Sequence, residues 1–188
     1  MKFVRNFDKL NLTNPSFSKH YPNTFNFGYF GYAIAHEILH SFDSENYNRT
    51  LEEKSIENFG DRSDCFVKQY GMQENGITNK NISDSLTLVE NIPDNGGIKI
   101  AQRVYMKYLQ SDGGKDLVVL GFEDFTNEQL FFISFEEQIK IDEHPPAETR
   151  TNVALSNYKP FSDAFKCKLN SNMNPEDKCE LWKNQKQN

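Results

Sequence analysis

The chain has 188 residues, 21 basic against 27 acidic side chains, a net charge of −6 and a pI near 5.3. An acidic chain without basic blocks makes nucleic acid and anionic membrane poor partners, and no apolar run is long enough to span a bilayer. Leu, Ile, Val and Phe make up about a quarter of the residues, above the level of a disordered chain but thin for a core of this length, so the 13% aromatic share carries much of it.

Residues 1–26 are mixed and turn-rich, with Asn14-Pro15 and Tyr21-Pro22-Asn23, and read as an irregular lead-in. The opening Met1-Lys-Phe-Val-Arg has no continuous apolar stretch and does not read as a secretory signal. From Phe27 to Phe42 the pattern turns helical, carrying Phe30, Ala33, Ile34 and Ile38. Residues 43–54 read as loop, 55–70 as a second helix and 71–85 as surface loop. Residues 88–110 form a long amphipathic pattern. Residues 111–125, with Gly113-Gly114, read as a connection. Thr126 and Gln129 fit a capping box that opens a helix over Leu130–Phe135. From 142 on the chain reads as loop-rich, with short helical turns near 161–165 and a polar tail over 183–188. The class is mainly α. Cys65, Cys167 and Cys179 are odd in number, which leaves at least one thiol without an intramolecular partner.

His36-Glu37-Ile38-Leu39-His40 matches H-E-x-x-H inside the first helix. Spacing i, i+4 puts both imidazoles on one face, a turn apart, where both can reach one Zn²⁺ at about 2.0–2.1 Å. Glu37 sits roughly 100° round the helix and can act as general base on a metal-bound water. Unpaired imidazoles in an apolar helix would be expensive, which weighs against chance. A catalytic zinc needs a third protein ligand and an open position. Glu90 is the best placed candidate, with Asp94 one turn on to accept the N–H of a ligand histidine. Taken alone, Glu90 and Asp94 would read as a solvated charged face.

The segments Asn26–Asp43, Leu88–Gly97, Glu128–Phe135 and Asn172–Trp182, in that order, resemble the neprilysin family of zinc metalloendopeptidases, over roughly residues 15–182. The resemblance implies a partial thermolysin-like zincin (gluzincin) catalytic domain over 27–182, mainly helical, with few or no short strands. It implies that His36, His40 and Glu90 hold one Zn²⁺ and that Glu37 activates water. Asp94 would stand behind one ligand histidine and Asp43 behind the other. His144 would support the oxyanion and Arg150, six residues on, would contact the substrate backbone. It also implies a Cys65–Cys179 disulfide, leaves Cys167 free for association, makes peptides the substrates, and points to an extracellular or membrane-associated location.

The sequence departs from the family pattern in several places. The family's large helical lobe and the strand that pairs with substrate have no counterpart in these 188 residues. The stretch from His40 to Glu90 is short, and about a dozen residues are lost between Phe135 and His144, where misplacement by about 1 Å can cost a hundredfold in rate. Pro93 replaces an alanine and is accommodated if the helix starts near Glu90. An apolar face should be left exposed where the lobe would dock. Three functions therefore stand: a minimal zinc metalloendopeptidase, a non-catalytic zinc-binding interaction module, and a fragment of a larger gene product.

Overall fold

The structure, a computed structural model, describes residues 17–73, 84–141 and 147–182, with the backbone alone at 84–86 and 137–141. Its first helical rod starts where Pro22, in extended conformation, leaves the amides of Asn23 and Thr24 without helical partners. The Asp116 carboxylate supplies them from across the fold, accepting from Asn23 N at 2.7 Å and Thr24 N at 2.6 Å, an anion at the positive end of the helix. The Tyr105 hydroxyl holds the same carboxylate at 2.7 Å.

The rod passes through α1 (Asn23–Phe25), a π-helical segment (Asn26–Gly31), α2 (Tyr32–Leu39) and a 3-10 turn (His40–Phe42). The amide of Tyr32 reaches back five residues to Phe27 O, which makes the widened turn. Gly28 lies within it, and a Cβ there would fall 1.9 Å from Ser134 Oγ and 2.4 Å from Phe131 O, so only glycine lets the crossing helix come this close. The expected helix thus begins at Asn23, inside the expected lead-in, and the sequence pattern gave no sign of its π turn.

The rest is α3 (Tyr47–Thr50), α4 (Glu53–Gly71), α5 (Asp84–Gln110), α6 (Asn127–Ile141), α7 (Ala147–Ser156) and α8 (Lys159–Ala164). α4 buries Phe59, Ser63, Phe66 and Tyr70, one stripe at helical spacing. The capping box opens α6 as expected: Thr126 N donates to Gln129 Oε1 at 2.9 Å, and Gln129 N to Thr126 Oγ1 at 3.2 Å. Three expectations are corrected. The stretch after 142 carries α7, buried at Arg150, Thr151, Val153 and Ala154, where loop was expected. The 43–54 loop contains the single turn α3. The long helix starts at Asp84, so Glu90 is in its second turn and Pro93 is interior, leaving the carbonyl of Val89 without its usual amide.

Among the described residues there is no strand, only an isolated bridge between Ser171 and Asn174. One core gathers Tyr32, Ile98, Tyr105, Phe131, Phe132 and Phe135 where the rod, α5 and α6 meet. A second joins Phe59, Phe66 and Tyr70 of α4 to Ile92, Val153 and Leu181. Cys65 and Cys179 form the disulfide, with Cα atoms 5.6 Å apart, and Cys167 is free and half-buried. Leu117, Val118, Leu120 and Phe122 of the 111–126 connection are exposed, as is Ile38 on the rod.

Candidate metal centre

α2 and α5 pack more extensively on each other than any other pair of elements. Gly97 makes that approach possible: a Cβ there would lie 3.1 Å from the amide nitrogen of His36 and 3.1 Å from the Tyr32 ring. The contact brings Glu90 and Asp94, one turn apart on α5, against His36 and His40, one turn apart on the rod.

Three ligand atoms meet. His36 Nε2 lies 3.1 Å from His40 Nε2 and 3.2 Å from Glu90 Oε2, and His40 Nε2 lies 3.8 Å from Glu90 Oε2. Among the described residues these three alone form such a group. Three atoms at these separations share a point about 2.0 Å from each, the bond length zinc takes to histidine and carboxylate. The donor set, two imidazoles and one carboxylate, therefore fits a zinc-sized cation.

The far nitrogens are also committed. His36 Nδ1 is 3.0 Å from Asp94 Oδ1, and His40 Nδ1 is 2.9 Å from Asp43 Oδ2. Each carboxylate calls for a proton on Nδ1 and so turns the Nε2 lone pair toward the cluster. Asp43 is buried and also accepts from the amides of Glu45 and Asn46, which ties His40 to the turn that follows it. Burial would raise the Asp43 carboxyl, but its bonds to His40, Glu45 and Asn46 hold it below its ordinary value.

Asp94 is the hub. It is 0% exposed and accepts from Arg150 Nε at 2.7 Å, Arg150 Nη2 at 2.8 Å and the Tyr32 hydroxyl at 2.6 Å. Burial alone would raise its carboxyl, but the Arg150 charge and the His36 bond keep it well below the usual carboxylate range. Glu90, pushed up by burial, is likewise held low by His36, His40 and Arg150, whose Nη2 is 3.6 Å away. Burial opposes a charge on His36, yet its hydrogen bonds to Asp94 and Glu90 raise it to about 9 in the metal-free protein. A cation entering the cluster takes the place of that proton.

Glu37, Glu90 and His40 line one open cleft of about 370 Å³, whose wall continues through Ser41, Arg49 and Val89. The expected base and two of the expected ligands thus face the same space. Arg150 is 4% exposed and engaged with Asp94. His144 lies outside the described residues. Sequence reasoning missed Tyr32, although its position four residues before His36 places it on the same helix face.

The family model of peptidase family M13 matches residues 6–181. Neprilysin-3 of Drosophila melanogaster is 37% identical, over 91% of this chain and 24% of its own length. Neprilysin of Mus musculus is 37% identical, over 91% and 26%. Endothelin-converting enzyme 1 of Rattus norvegicus is 34% identical, over 91% and 25%. The chain thus spans about a quarter of these relatives. The solved Haemonchus galactose-containing glycoprotein complex superposes with a TM-score of 0.78 at 30% identity, over 91% of this chain and 30% of that one. The Mycobacterium tuberculosis zinc metalloprotease Zmp1, in complex with inhibitor, does so at 0.71 and 24% identity, over 84% and 27%, a likeness of fold.

Proposed function

Since this chain belongs to peptidase family M13, we propose that its cluster is the centre of a zinc metalloendopeptidase acting on short peptides. One observation carries the reading: His36 Nε2, His40 Nε2 and Glu90 Oε2 converge within 3.8 Å while each imidazole's Nδ1 rests on its own carboxylate. His36, His40 and Glu90 would hold one Zn²⁺ and leave a position open. Zinc bound there supplies Lewis acidity and a lowered pKa for water.

The chain's own residues do the remaining work. A Glu37 carboxylate oxygen takes the proton from the attacking water and delivers it to the leaving amine, a transfer worth about 10²–10⁴ in rate. Asp94 and Asp43 keep the two ligand imidazoles in the binding tautomer. His144 donates to the developing oxyanion and Arg150 anchors a substrate carbonyl; the support for these two is their place in the resemblance. Beyond that part, Arg150 neutralises the buried Asp94 charge. The Cys65–Cys179 disulfide favours an oxidising compartment, in keeping with an extracellular or membrane-associated setting. No helix among the described residues is long and apolar enough to cross a membrane.

The chain's span of about a quarter of its relatives favours one competing reading, a zinc-binding module without turnover. The test is cleavage of a mixed peptide library by the zinc-loaded chain, beside Glu37→Gln and a chelator-treated sample. We expect one zinc per chain in both proteins, with cleavage by wild type alone. Stoichiometric zinc without cleavage would leave the binding module, and no zinc uptake would overturn both readings.

A further inference from the structure

The neighbour of His36 that the proposed chemistry does not use is Tyr32. Its ring is buried, meets Phe135 edge-on with centroids 4.5 Å apart, and fits a slot that exists only because Gly97 has no side chain. With the ring held on both sides, the direction of the hydroxyl is fixed.

That hydroxyl donates to Asp94 Oδ1 at 2.6 Å and lies 3.2 Å from His36 Nδ1. Asp94 meets four donors: Tyr32 Oη, His36 Nδ1 and Arg150 Nη2 crowd its Oδ1, and Arg150 Nε holds its Oδ2. The tyrosine hydrogen is committed to Asp94, so the tyrosine oxygen presents a lone pair to His36 Nδ1. Nδ1 therefore faces two acceptor oxygens, and only a protonated Nδ1 satisfies both.

We propose that Tyr32 is a positioning residue of the metal centre, whose hydroxyl locks the Asp94 carboxylate and with it the tautomer and ring direction of His36. Tyr32 itself touches neither the metal position nor the substrate cleft; it acts through Asp94. This inference rests on the reading of the His-His-Glu cluster as a metal centre. Phenylalanine at 32 keeps the ring and its packing while removing one of four restraints on Asp94.

The test compares wild type, Tyr32→Phe, Asp94→Asn and the double variant. Zinc affinity is measured by competition with a chromophoric chelator, and ligand geometry by the visible spectrum of the cobalt-substituted protein. We expect Tyr32→Phe to weaken zinc binding about tenfold, the lower end for partners outside the ligand set, and to shift the cobalt bands. In the Asp94→Asn background the same substitution should change affinity less than twofold, because an amide cannot accept from Arg150 on one atom and from Tyr32 and His36 on the other, and the carboxylate that Tyr32 locks is gone. If Asp94→Asn does not fold, the affinity and cobalt spectrum of Tyr32→Phe decide alone. A lowered melting temperature with affinity and spectrum unchanged would reduce Tyr32 to packing and overturn the proposal, as would tighter binding. A wild type that takes up no zinc would instead overturn the metal-centre reading and this inference with it.

Discussion

Replacing Cys65 by serine and Cys179 by alanine isolates what the disulfide contributes. The bond closes a loop of 114 residues, from α4 to the segment that carries Leu181 and Trp182. For a loop of that length the chain-entropy relation gives about 4.8 kcal/mol at 25 °C. Domains of this size are stable by about 5–15 kcal/mol in total, so the variant should retain about two-thirds of its stability at best and almost none at the lower end. The loss should appear as a lower urea midpoint, measured at fixed excess chelator so that metal linkage does not enter. Zinc affinity of the folded fraction should be nearly unchanged, because His36, His40 and Glu90 stand on α2, the turn after it and α5, none of which the bond joins. Its reach toward the centre is indirect: Trp182 packs edge-on against Phe42, with centroids 6.1 Å apart, and Cys179 and Leu181 share a core with Ile92 of α5. A stability loss below about 1 kcal/mol would refute the loop-entropy reasoning. Loss of zinc binding by the folded fraction would refute placing the bond outside the metal centre.

Two further outcomes follow from buried contacts. Asp94→Ala removes the two-point carboxylate partner of the buried Arg150 cation and should cost about 3–5 kcal/mol in chelator-treated protein, read by urea titration. Because the folded Asp94 carboxyl is held low, its contribution in wild type is full above about pH 4, the unfolded value, and fades as pH falls toward the folded one. Stability of the alanine variant should lack that acid-side decline; an unchanged decline would assign it elsewhere. Gly28→Ala must displace both Ser134 Oγ and the backbone carbonyl of Phe131, so a net loss of about 1–3 kcal/mol is expected despite alanine's better helix propensity, checked by thermal unfolding. A gain in stability would mean that the rod and α6 do not cross this closely.

Much of the centre was legible along the chain because its determinants are local. An i, i+4 histidine pair on a helix must share a face, so His36 and His40 required only that the helix form. Thr126 and Gln129 close their capping box within four residues. Phe59, Phe66 and Tyr70 announce the buried side of α4 by spacing alone. Helix α7 was missed because Pro145-Pro146 reads as a break and because Thr149, Thr151, Asn152 and Val153 are weak helix formers, a preference that the burial of Arg150, Thr151, Val153 and Ala154 overrides. The start of α5 was misplaced for a related reason: Pro93 argued for a boundary, but the turns around it, residues 91–98, are buried, and that packing carries the helix through the proline.

What the sequence by itself determined is the donor chemistry: which side chains can hold a metal, and on which helices they ride. Its spacing also set the neighbours within a single turn. Only the tertiary structure decided that Glu90 faces the two imidazoles, that Asp94 gathers His36 and Tyr32 from one helix and Arg150 from another, and that Asp116 closes the start of the rod from 92 residues away. Those pairings depend on how closely helices approach, and here the approach is governed by the missing side chains of Gly28 and Gly97 and by the fit of aromatic rings between them. Such packing is a property of several segments at once, and no local pattern encodes it.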